Sequence, residues 1–211
     1  MQALTTFRHD AALRRQLTAN LSEFEARTQP QGELKHAAVV LAVTRYGDEA
    51  AIIVTRRTDT LRAHTGQWAL PGGKIDNAET PAAAALREMH EEINLSLDAG
   101  QIVGMLDDYV TRSGYLISPV VVWNDTPWKQ LSPNPDEVAS ISPFSFSELA
   151  RDDSPLLSTE AKSDKQVLSM HFQDDVIFAP TGALLFQFRE VAMSGRATRV
   201  LHFDQPRFAW R

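Results

Sequence analysis

The sequence of 211 residues contains no cysteine, which excludes disulfide bonds, thiolate metal sites and a cysteine nucleophile. Long apolar runs are also absent, because the longest, residues 37–43, is far too short to cross a bilayer. The first ten residues form no apolar signal segment, and the last residues form no targeting tripeptide. We therefore expect a cytoplasmic protein with no membrane partner.

Positive charge is scarce as well. The chain has 21 lysines and arginines against 27 aspartates and glutamates, and its net charge is −6. Nucleic-acid binding usually needs a basic surface, so we expect no nucleic-acid partner. Hydrophobic residues (43%) and charged residues (23%) occur at the frequencies of a globular protein, which excludes a disordered or collagen-like chain.

The order of the predicted elements indicates how the chain is organised. Residues 10–27 carry apolar side chains at helical spacing, and the segment TQPQGE then interrupts this pattern. The apolar positions are Leu13, Leu17, Leu21 and Phe24. We predict an N-terminal helical extension over residues 1–34, packed on a domain that covers residues 35–211.

Beyond this extension, the pattern predicts a mixture of strands and helices. Residues 36–45 and 51–55 are rich in β-branched side chains and flank a turn, so they predict a hairpin. Further strands are predicted at residues 103–110, 116–123 and 167–172, and short helices at residues 145–150 and 181–193. Since these elements follow no repeated βαβ order, we predict an α+β fold in the form of an α/β/α sandwich.

The clearest helix covers residues 80–93. Thr80 is a suitable N-cap, and Pro81 suits the first helical position, where its missing N–H is not needed. Asn94 tolerates the left-handed conformation that often ends a helix. The predicted apolar stripe consists of Ala82, Leu86, Met89 and Ile93.

The polar side of this helix carries Glu88, Glu91 and Glu92, which the helical spacing places on one face. Like charges at this spacing destabilise a helix. The cluster is therefore either a solvated acidic face or a cation site, and carboxylate oxygens suit Mg²⁺ or Mn²⁺ better than zinc. Just upstream, Gly72 and Gly73 allow a close approach of the backbone.

Arg87 interrupts the acidic face, and we expect it to pair with Glu79 and so to brace the loop before the helix. These residues belong to a longer pattern, G-x5-E-x7-R-E-U-x-E-E-x-G-U, in which U is a bulky aliphatic residue. The matching residues are Gly73, Glu79, Arg87, Glu88, Met89, Glu91, Glu92 and Leu95. The pattern resembles the signature of the Nudix hydrolases, with Asn94 in place of the signature's glycine.

This resemblance implies a Nudix fold, in which a mixed sheet lies between helices and a loop–helix–loop holds a divalent metal, Mg²⁺ or Mn²⁺. It also implies hydrolysis of a nucleoside diphosphate linked to another group, and hence a small-molecule nucleotide as the partner. Glu88 and Glu92 would be the principal metal ligands and Glu91 a third, and the Gly73 carbonyl would add another. The residues that would support the loop are Gly72, Glu79 and Arg87.

The resemblance leaves the general base open. Glu91 in the helix is one candidate and Glu137 is the other, because Nudix enzymes carry the base either in the signature or in a later loop. Pro133 and Pro135 stiffen the loop of Glu137. Glu137 is equally consistent with a solvated acidic residue of that loop.

A second resemblance concerns the substrate. The segment IVTRRT (residues 53–58), followed by Arg62, Gly66 and LPGG (residues 70–73), is similar to the motif that precedes the signature in coenzyme A diphosphatases. Residues 107–115 (DDYVTRSGY) resemble the same subfamily. The two resemblances imply hydrolysis of coenzyme A or acyl-CoA to 3′,5′-ADP and 4′-phosphopantetheine or its acyl form.

Thr55, Arg57 and Arg62 are the predicted substrate-binding residues of this motif. Arginine suits phosphate recognition, and coenzyme A carries a 3′-phosphate besides its diphosphate. Alternation along a strand directs Arg56 and Arg57 to opposite faces, so at most one of them faces a cleft from the strand. Solvated arginines paired with nearby acids are the alternative.

Two other functions stay open. A Nudix hydrolase of ADP-ribose or of a dinucleotide is the nearest alternative, and a non-catalytic Nudix-fold binding module is the less favoured one, because the glutamates are intact. The sequence contains neither a serine-hydrolase elbow nor a P-loop. It is consistent with a homodimer and with a monomer.

Overall fold

The computed structural model describes residues 7–58, 66–76, 78–159 and 165–206. Its helices are α1 (Ala11–Glu23), α2 (Pro81–Ile93), α3 (Phe146–Leu149) and α4 (Thr181–Phe188). Its strands are β1 (Lys35–Tyr46), β2 (Glu49–Arg57), β3 (Trp68–Ala69), β4 (Gly72–Lys74), β5 (Ile102–Met105), β6 (Tyr109–Val110), β7 (Tyr115–Trp123), β8 (Val138–Ser145), β9 (Leu156–Thr159), β10 (Gln166–Phe172) and β11 (Asp175–Phe178). Short 3-10 helices cover Ala99–Gln101 and Trp128–Gln130, and a π-helical turn covers Arg189–Met193.

Eight of these strands form one mixed sheet. Its central order is β3-β2-β1-β7-β5, with β4 added to β1, β6 to β7 and β8 to β2. The strands β1 and β7 run parallel, whereas β1 and β2 form the antiparallel hairpin that the sequence predicted. A second sheet of three strands has the order β11-β10-β9.

Side chains on the two faces of the large sheet belong to two separate cores. On one face, Val40, Val120 and Val122 pack with α2 residues such as Met89. On the other face, Leu41 and its neighbours pack with α1, α4 and the small sheet. This alternation along β1 and β7 places helices on both sides of the sheet, which confirms the predicted α/β/α sandwich.

The N-terminal helix begins where the sequence predicted. The carboxylate of Asp10 accepts hydrogen bonds from the N–H groups of Ala12 and Leu13, at 2.9 and 3.0 Å. Leucines at positions 13, 17 and 21 are all buried, in the core that also contains α4. In the described part of the chain, no helix is both long and apolar enough to cross a membrane.

Helix α2 has the predicted ends but a different buried face. Thr80 caps it through a hydrogen bond of 3.2 Å from the Ala83 N–H, and Asn94 ends it with a φ of 54°. The predicted stripe is only half right, because Ala82 and Leu86 are only partly buried. The buried side chains are Ala84, Ala85, Met89, Glu92 and Ile93. Small alanines allow the helix to lie close to the sheet, and this contact turns Glu92 inward.

One predicted strand is interrupted in the structure, and one strand was not predicted. The strand predicted at residues 103–110 is interrupted between β5 and β6, where the buried carboxylates of Asp107 and Asp108 accept hydrogen bonds from the backbone N–H groups of Arg27 and Gln29. Strand β8 was missed, since its serines and Pro143 give a weak strand signal. Proline is tolerated there because, among the described strands, β8 pairs with β2 alone.

Candidate functional site

Gly72 and Gly73 bring the backbone of β4 close to two different neighbours. In the pairing with β1, Val39 lies opposite Gly72 and Ala38 opposite Gly73. Gly72 has a φ of +152°, and a Cβ there would lie 2.2 Å from the carbonyl oxygen of Ala38. A Cβ on Gly73 would instead lie 2.3 Å from Oε1 of Glu88. Glycine at both positions therefore lets the strand run directly beside the carboxylates of α2.

The three glutamates of α2 differ strongly in burial. Glu92 is only 3% exposed, and its Oε2 accepts a hydrogen bond of 3.2 Å from the N–H of Gly72. Glu88 is largely buried, whereas the Glu91 side chain is 49% exposed. Burial along the predicted acidic face therefore decreases from Glu92, which lies against the sheet, to Glu91, which lies at the surface.

For both Glu88 and Glu92, burial outweighs the effect of the nearby positive charge. Burial raises the pKa of Glu92 to about 8, although a backbone N–H and the Arg57 guanidinium act in the opposite direction. Burial also raises the pKa of Glu88, against the hydrogen bond and charge of Arg87. The charge of Glu137 raises both pKa values further. Both carboxyl groups are therefore harder to ionise than free glutamates.

Arg87 connects the glycine loop to the helix. Its Nε and Nη2 donate to the two carboxylate oxygens of Glu79, at 2.9 and 3.1 Å, and Nη2 also donates to the Lys74 carbonyl at 3.0 Å. Its Nη1 donates to Oε1 of Glu88 at 2.8 Å and to Oε2 of Glu91 at 3.0 Å. These hydrogen bonds hold the pKa of Glu79 below its usual value and that of Arg87 above it. The ion pair expected between Arg87 and Glu79 is present.

Glu137 lies in the loop before β8, and this loop is tied to the end of α2. The N–H of Asn134 donates to the carbonyl of Glu92 at 2.8 Å, and the N–H of Thr58 donates to the carbonyl of Glu137 at 3.1 Å. The half-buried side chain of Glu137 makes no hydrogen bond or ion pair with another described residue. The loop thus brings a carboxylate that has no partner among the described residues near Glu88 and Glu92.

The chemistry of these side chains fits a divalent cation. Within the described ranges, no three acidic or histidine side chains are already gathered closely enough to hold a metal ion. Two of the candidate ligands, Glu88 and Glu91, are instead held by Arg87. The pair Glu88 and Glu92 nevertheless offers hard oxygen ligands in a buried setting, where added positive charge would favour their ionised forms.

A cavity of about 730 Å³ lies beside this site. Ala37, Val39 and Ile117 line it from β1 and β7, on the sheet face opposite α2. Residues 66–70 and 72–74 line the side nearest to the carboxylates, and they include both glycines. The remaining walls come from Thr111, Ser113 and Tyr115, from β11 and the start of α4, and from Gln205.

The predicted substrate-binding residues fall in three different places. Arg57 lines the cavity, and its Nε is buried without a hydrogen-bond partner among the described residues. Thr55 does not line it, because this residue is 2% exposed and its hydroxyl donates to the Ala69 carbonyl at 3.4 Å. The structure therefore does not support Thr55 as a substrate contact. Arg62 lies outside the described residues.

Sequence reasoning missed one wall of the cavity. Residues 175–181 and Gln205 form it, although they lie far from the signature and carry no motif. The segment 107–115 gives an indirect signal, because its Arg112 binds the C-terminal segment. The Arg112 N–H donates to Oε1 of Gln205 at 2.6 Å, and its guanidinium pairs with Asp204 at 2.7 Å. These contacts hold Gln205 in the wall.

Similar proteins point to one family. A family model described as the NUDIX domain matches residues 34–169. An uncharacterized Nudix hydrolase, NudL, of Photorhabdus laumondii is 39% identical over 115 residues, which cover 54% of this chain and 60% of that protein. A NudL of Citrobacter koseri is 35% identical over 136 residues, which cover 62% of this chain and 70% of that protein.

Among solved structures, a MutT/nudix family protein from Enterococcus faecalis matches with a TM-score of 0.48 and 16% identity, over 69% of this chain and 51% of that one. The match to the Photorhabdus relative spans 60% of its length, so the relatives extend beyond the matched region. The domain model nevertheless covers most of this chain and contains the glycines, α2 and Glu137. The chain belongs to the Nudix family.

Proposed function

We propose that this protein is a Nudix hydrolase that cleaves the diphosphate of coenzyme A or acyl-CoA, with 3′,5′-ADP and 4′-phosphopantetheine or its acyl form as products. One observation carries the proposal: the buried carboxylates Glu88 and Glu92 contact Gly73 and Gly72, and both glycines also line the cavity. A substrate in the cavity would therefore present its diphosphate to the carboxylate site.

The proposed cofactor is Mg²⁺ or Mn²⁺, since Nudix hydrolases generally use divalent metals. Glu88 and Glu92 would hold the ion, with Glu91 and the Gly73 carbonyl as further ligands. When bound, the ion offsets phosphate charge and lowers the pKa of water. Arg87 keeps Glu88 and Glu91 oriented through hydrogen bonds of 2.8 and 3.0 Å.

For the general base we favour Glu137 over Glu91. Glu91 is half-exposed and is engaged by Arg87, whereas the side chain of Glu137 has no partner among the described residues. The Asn134–Glu92 backbone hydrogen bond keeps the loop of Glu137 near the carboxylates. A base must be free to accept a proton from the attacking water, and this condition favours Glu137.

The preference for coenzyme A rests on the arginines of the upstream motif. Arg57 lines the cavity, and an arginine guanidinium in such a wall is suited to bind a phosphate oxygen. Arg62 follows from the sequence motif alone. Hydrolysis of ADP-ribose or of a dinucleotide is the alternative, since those substrates share the diphosphate and lack the 3′-phosphate.

The deciding experiment compares coenzyme A, dephospho-coenzyme A and ADP-ribose as substrates of the full chain with Mg²⁺ or Mn²⁺, with products identified by mass spectrometry. We expect coenzyme A to be cleaved about ten- to hundredfold more efficiently than dephospho-coenzyme A, as a charge-assisted phosphate contact would give. Glu88→Gln should lower turnover by at least about 100-fold, and the matched control Glu23→Gln in α1 should not. Equal efficiency on all three substrates would favour the alternative, and no cleavage of any would contradict a hydrolase.

The choice of base predicts a difference in pH–rate profiles. Glu137→Gln should remove the acidic limb of the kcat profile and lower kcat by about 100-fold or more, because the proton acceptor is lost. Glu91→Gln should keep that limb, with a smaller loss of activity. If the limb disappears in Glu91→Gln instead, Glu91 is the base.

A further inference from the structure

We propose that Trp68, held in position by Asp175, is the surface on which the nucleobase of the substrate stacks. The proposal rests on the proposed nucleotide substrate, but it does not depend on hydrolysis. Trp68 lines the cavity and is partly exposed. A partly exposed indole in a cavity offers a large flat surface to an aromatic ligand.

The indole ring is fixed by contacts from three directions. Its Nε1–H donates to Oδ2 of Asp175 at 3.1 Å, and its centroid lies 4.8 Å from that of Phe172 in an edge-to-face arrangement. The Arg56 guanidinium lies 5.8 Å from the ring centroid. Since the indole N–H is already satisfied and the Arg56 guanidinium lies over one face of the ring, a ligand would stack on the opposite face rather than form a hydrogen bond. Stacking of this kind accepts any base.

The position of Asp175 is itself fixed. Its Oδ1 accepts a hydrogen bond of 2.8 Å from the N–H of Val176 in β11, while Oδ2 binds Trp68. The carboxylate therefore links the small sheet to the rim of the cavity. It lies beyond residue 169, where the match to the family model ends.

Trp68 also has a fixed distance from the proposed diphosphate position. It belongs to the same short segment as Gly72, and both ends of that segment are paired with the large sheet. Trp68 lies opposite Arg56 of β2, and Gly72 lies opposite Val39 of β1. Between them, the carbonyl of Pro71 accepts a hydrogen bond of 2.8 Å from Val40. A base on Trp68 and a diphosphate at the glycines would thus lie along one continuous wall.

The floor of the cavity suits an aromatic group as well. Val39 and Ile117 supply apolar side chains from the sheet, and Leu184 supplies another from α4. A few polar residues, such as Gln67 and Thr111, are placed around them. Apolar walls with a small number of polar groups are typical of sites that bind the organic part of a ligand.

The test measures binding of AMP and of ribose 5-phosphate to the full chain by calorimetry without metal, so that hydrolysis plays no part. Trp68→Leu should raise the dissociation constant for AMP by about 5- to 150-fold, the range that loss of base stacking produces. Trp68→Phe should retain most of the affinity. Binding of ribose 5-phosphate, which has no base, should be unchanged in both variants. The control is Trp128→Leu, because Trp128 packs near Tyr46 and does not line the cavity.

The role of Asp175 is tested with two variants. Asp175→Leu removes the hydrogen-bond acceptor and should weaken AMP binding by about two- to tenfold. Asp175→Asn keeps an acceptor and should restore the wild-type value. If both variants bind AMP more tightly, Asp175 acts only by repelling the phosphate, and the positioning role is wrong.

Other outcomes would overturn the proposal. If wild-type protein does not bind AMP measurably, the cavity does not accept a base. If Trp68→Leu weakens ribose 5-phosphate as much as AMP, Trp68 only maintains the fold. Absence of diphosphate cleavage with intact AMP binding would contradict the proposed function alone, so the two failures are distinguishable.

Discussion

Gly72 and Gly73 are adjacent in the chain, but different neighbours require each of them to be glycine. At Gly72 the obstacle is backbone, the carbonyl oxygen of Ala38, and the φ of +152° is strained for any other residue. At Gly73 the obstacle is the carboxylate of Glu88, which is the end of a flexible side chain. The first glycine is therefore required by the sheet and the second by the site.

Alanine substitutions should separate these two requirements. Gly73→Ala should displace Glu88, weaken Mn²⁺ binding by about tenfold or more and lower stability by less than about 1 kcal/mol, since a side chain can move aside. Gly72→Ala should lower stability by about 1–3 kcal/mol, because backbone must shift. Urea unfolding and Mn²⁺ titration measure both effects. Equal loss of stability in the two variants would contradict the distinction.

At the scale of elements, the site depends on how α2 is joined to the loop before it. The helix supplies Glu88, Glu91 and Glu92, and β4 supplies the glycines. Arg87 connects the two through Glu79 and the Lys74 carbonyl. Two nitrogens of its guanidinium donate to the two oxygens of one carboxylate, a parallel arrangement that the single nitrogen of a lysine cannot form.

Arg87→Lys should therefore loosen the loop although it conserves charge. We expect Tm to fall by about 2–4 °C, roughly the effect of losing 1 kcal/mol in a domain of this size. Metal affinity should fall as well, because Glu88 and Glu91 lose the hydrogen bonds that orient them. Calorimetry of unfolding and Mn²⁺ titration give both values. The same substitution at exposed Arg151, whose partner is nearby Asp153, should change neither.

At the scale of the whole molecule, segments that are distant in sequence pack against one another. The N-terminal segment packs on the hairpin, where the Ala50 N–H donates to the Phe7 carbonyl at 2.8 Å. The buried ring of His9 stacks on Trp123 at the end of β7, with centroids 4.1 Å apart. Burial lowers the pKa of His9, and the charge of Arg45 lowers it further, against the opposing charge of Asp125.

This lowered pKa predicts how stability depends on pH. In the unfolded chain, His9 binds a proton near pH 6.5, whereas in the folded protein it does so only at lower pH. The stability of the folded protein is therefore not reduced by this histidine above pH 6.5. It should decline as the pH falls from 6.5 toward the lower folded pKa, by no more than about 1.4 kcal/mol per pH unit from this group.

The check is urea unfolding at pH 7.5 and 5.5. His9→Phe keeps an aromatic ring on Trp123 and should reduce the loss of stability between the two values. His202→Phe is the matched control, since His202 is exposed, and it should leave the pH dependence unchanged. An unaltered dependence in His9→Phe would show that other groups titrate instead.

The local sequence determined most of the elements and indicated the candidate metal ligands. Thr80, Pro81 and Asn94 bound α2 because capping depends on a few neighbouring backbone groups. The signature indicated which glutamates are the candidate metal ligands. It did not determine their burial, because a helical pattern gives the angle between side chains and not the direction in which the helix packs.

Tertiary structure decided the rest. The packing of α2 on the sheet turned Glu92 inward and raised its pKa to about 8, since burial removes water from a carboxylate. Register between β2 and β3 buried Thr55 against Ala69, which no local pattern indicates. Finally, the cavity wall at residues 175–181 and Gln205 exists only because distant segments meet, and such contacts are set by the assembled core rather than by any motif in the chain.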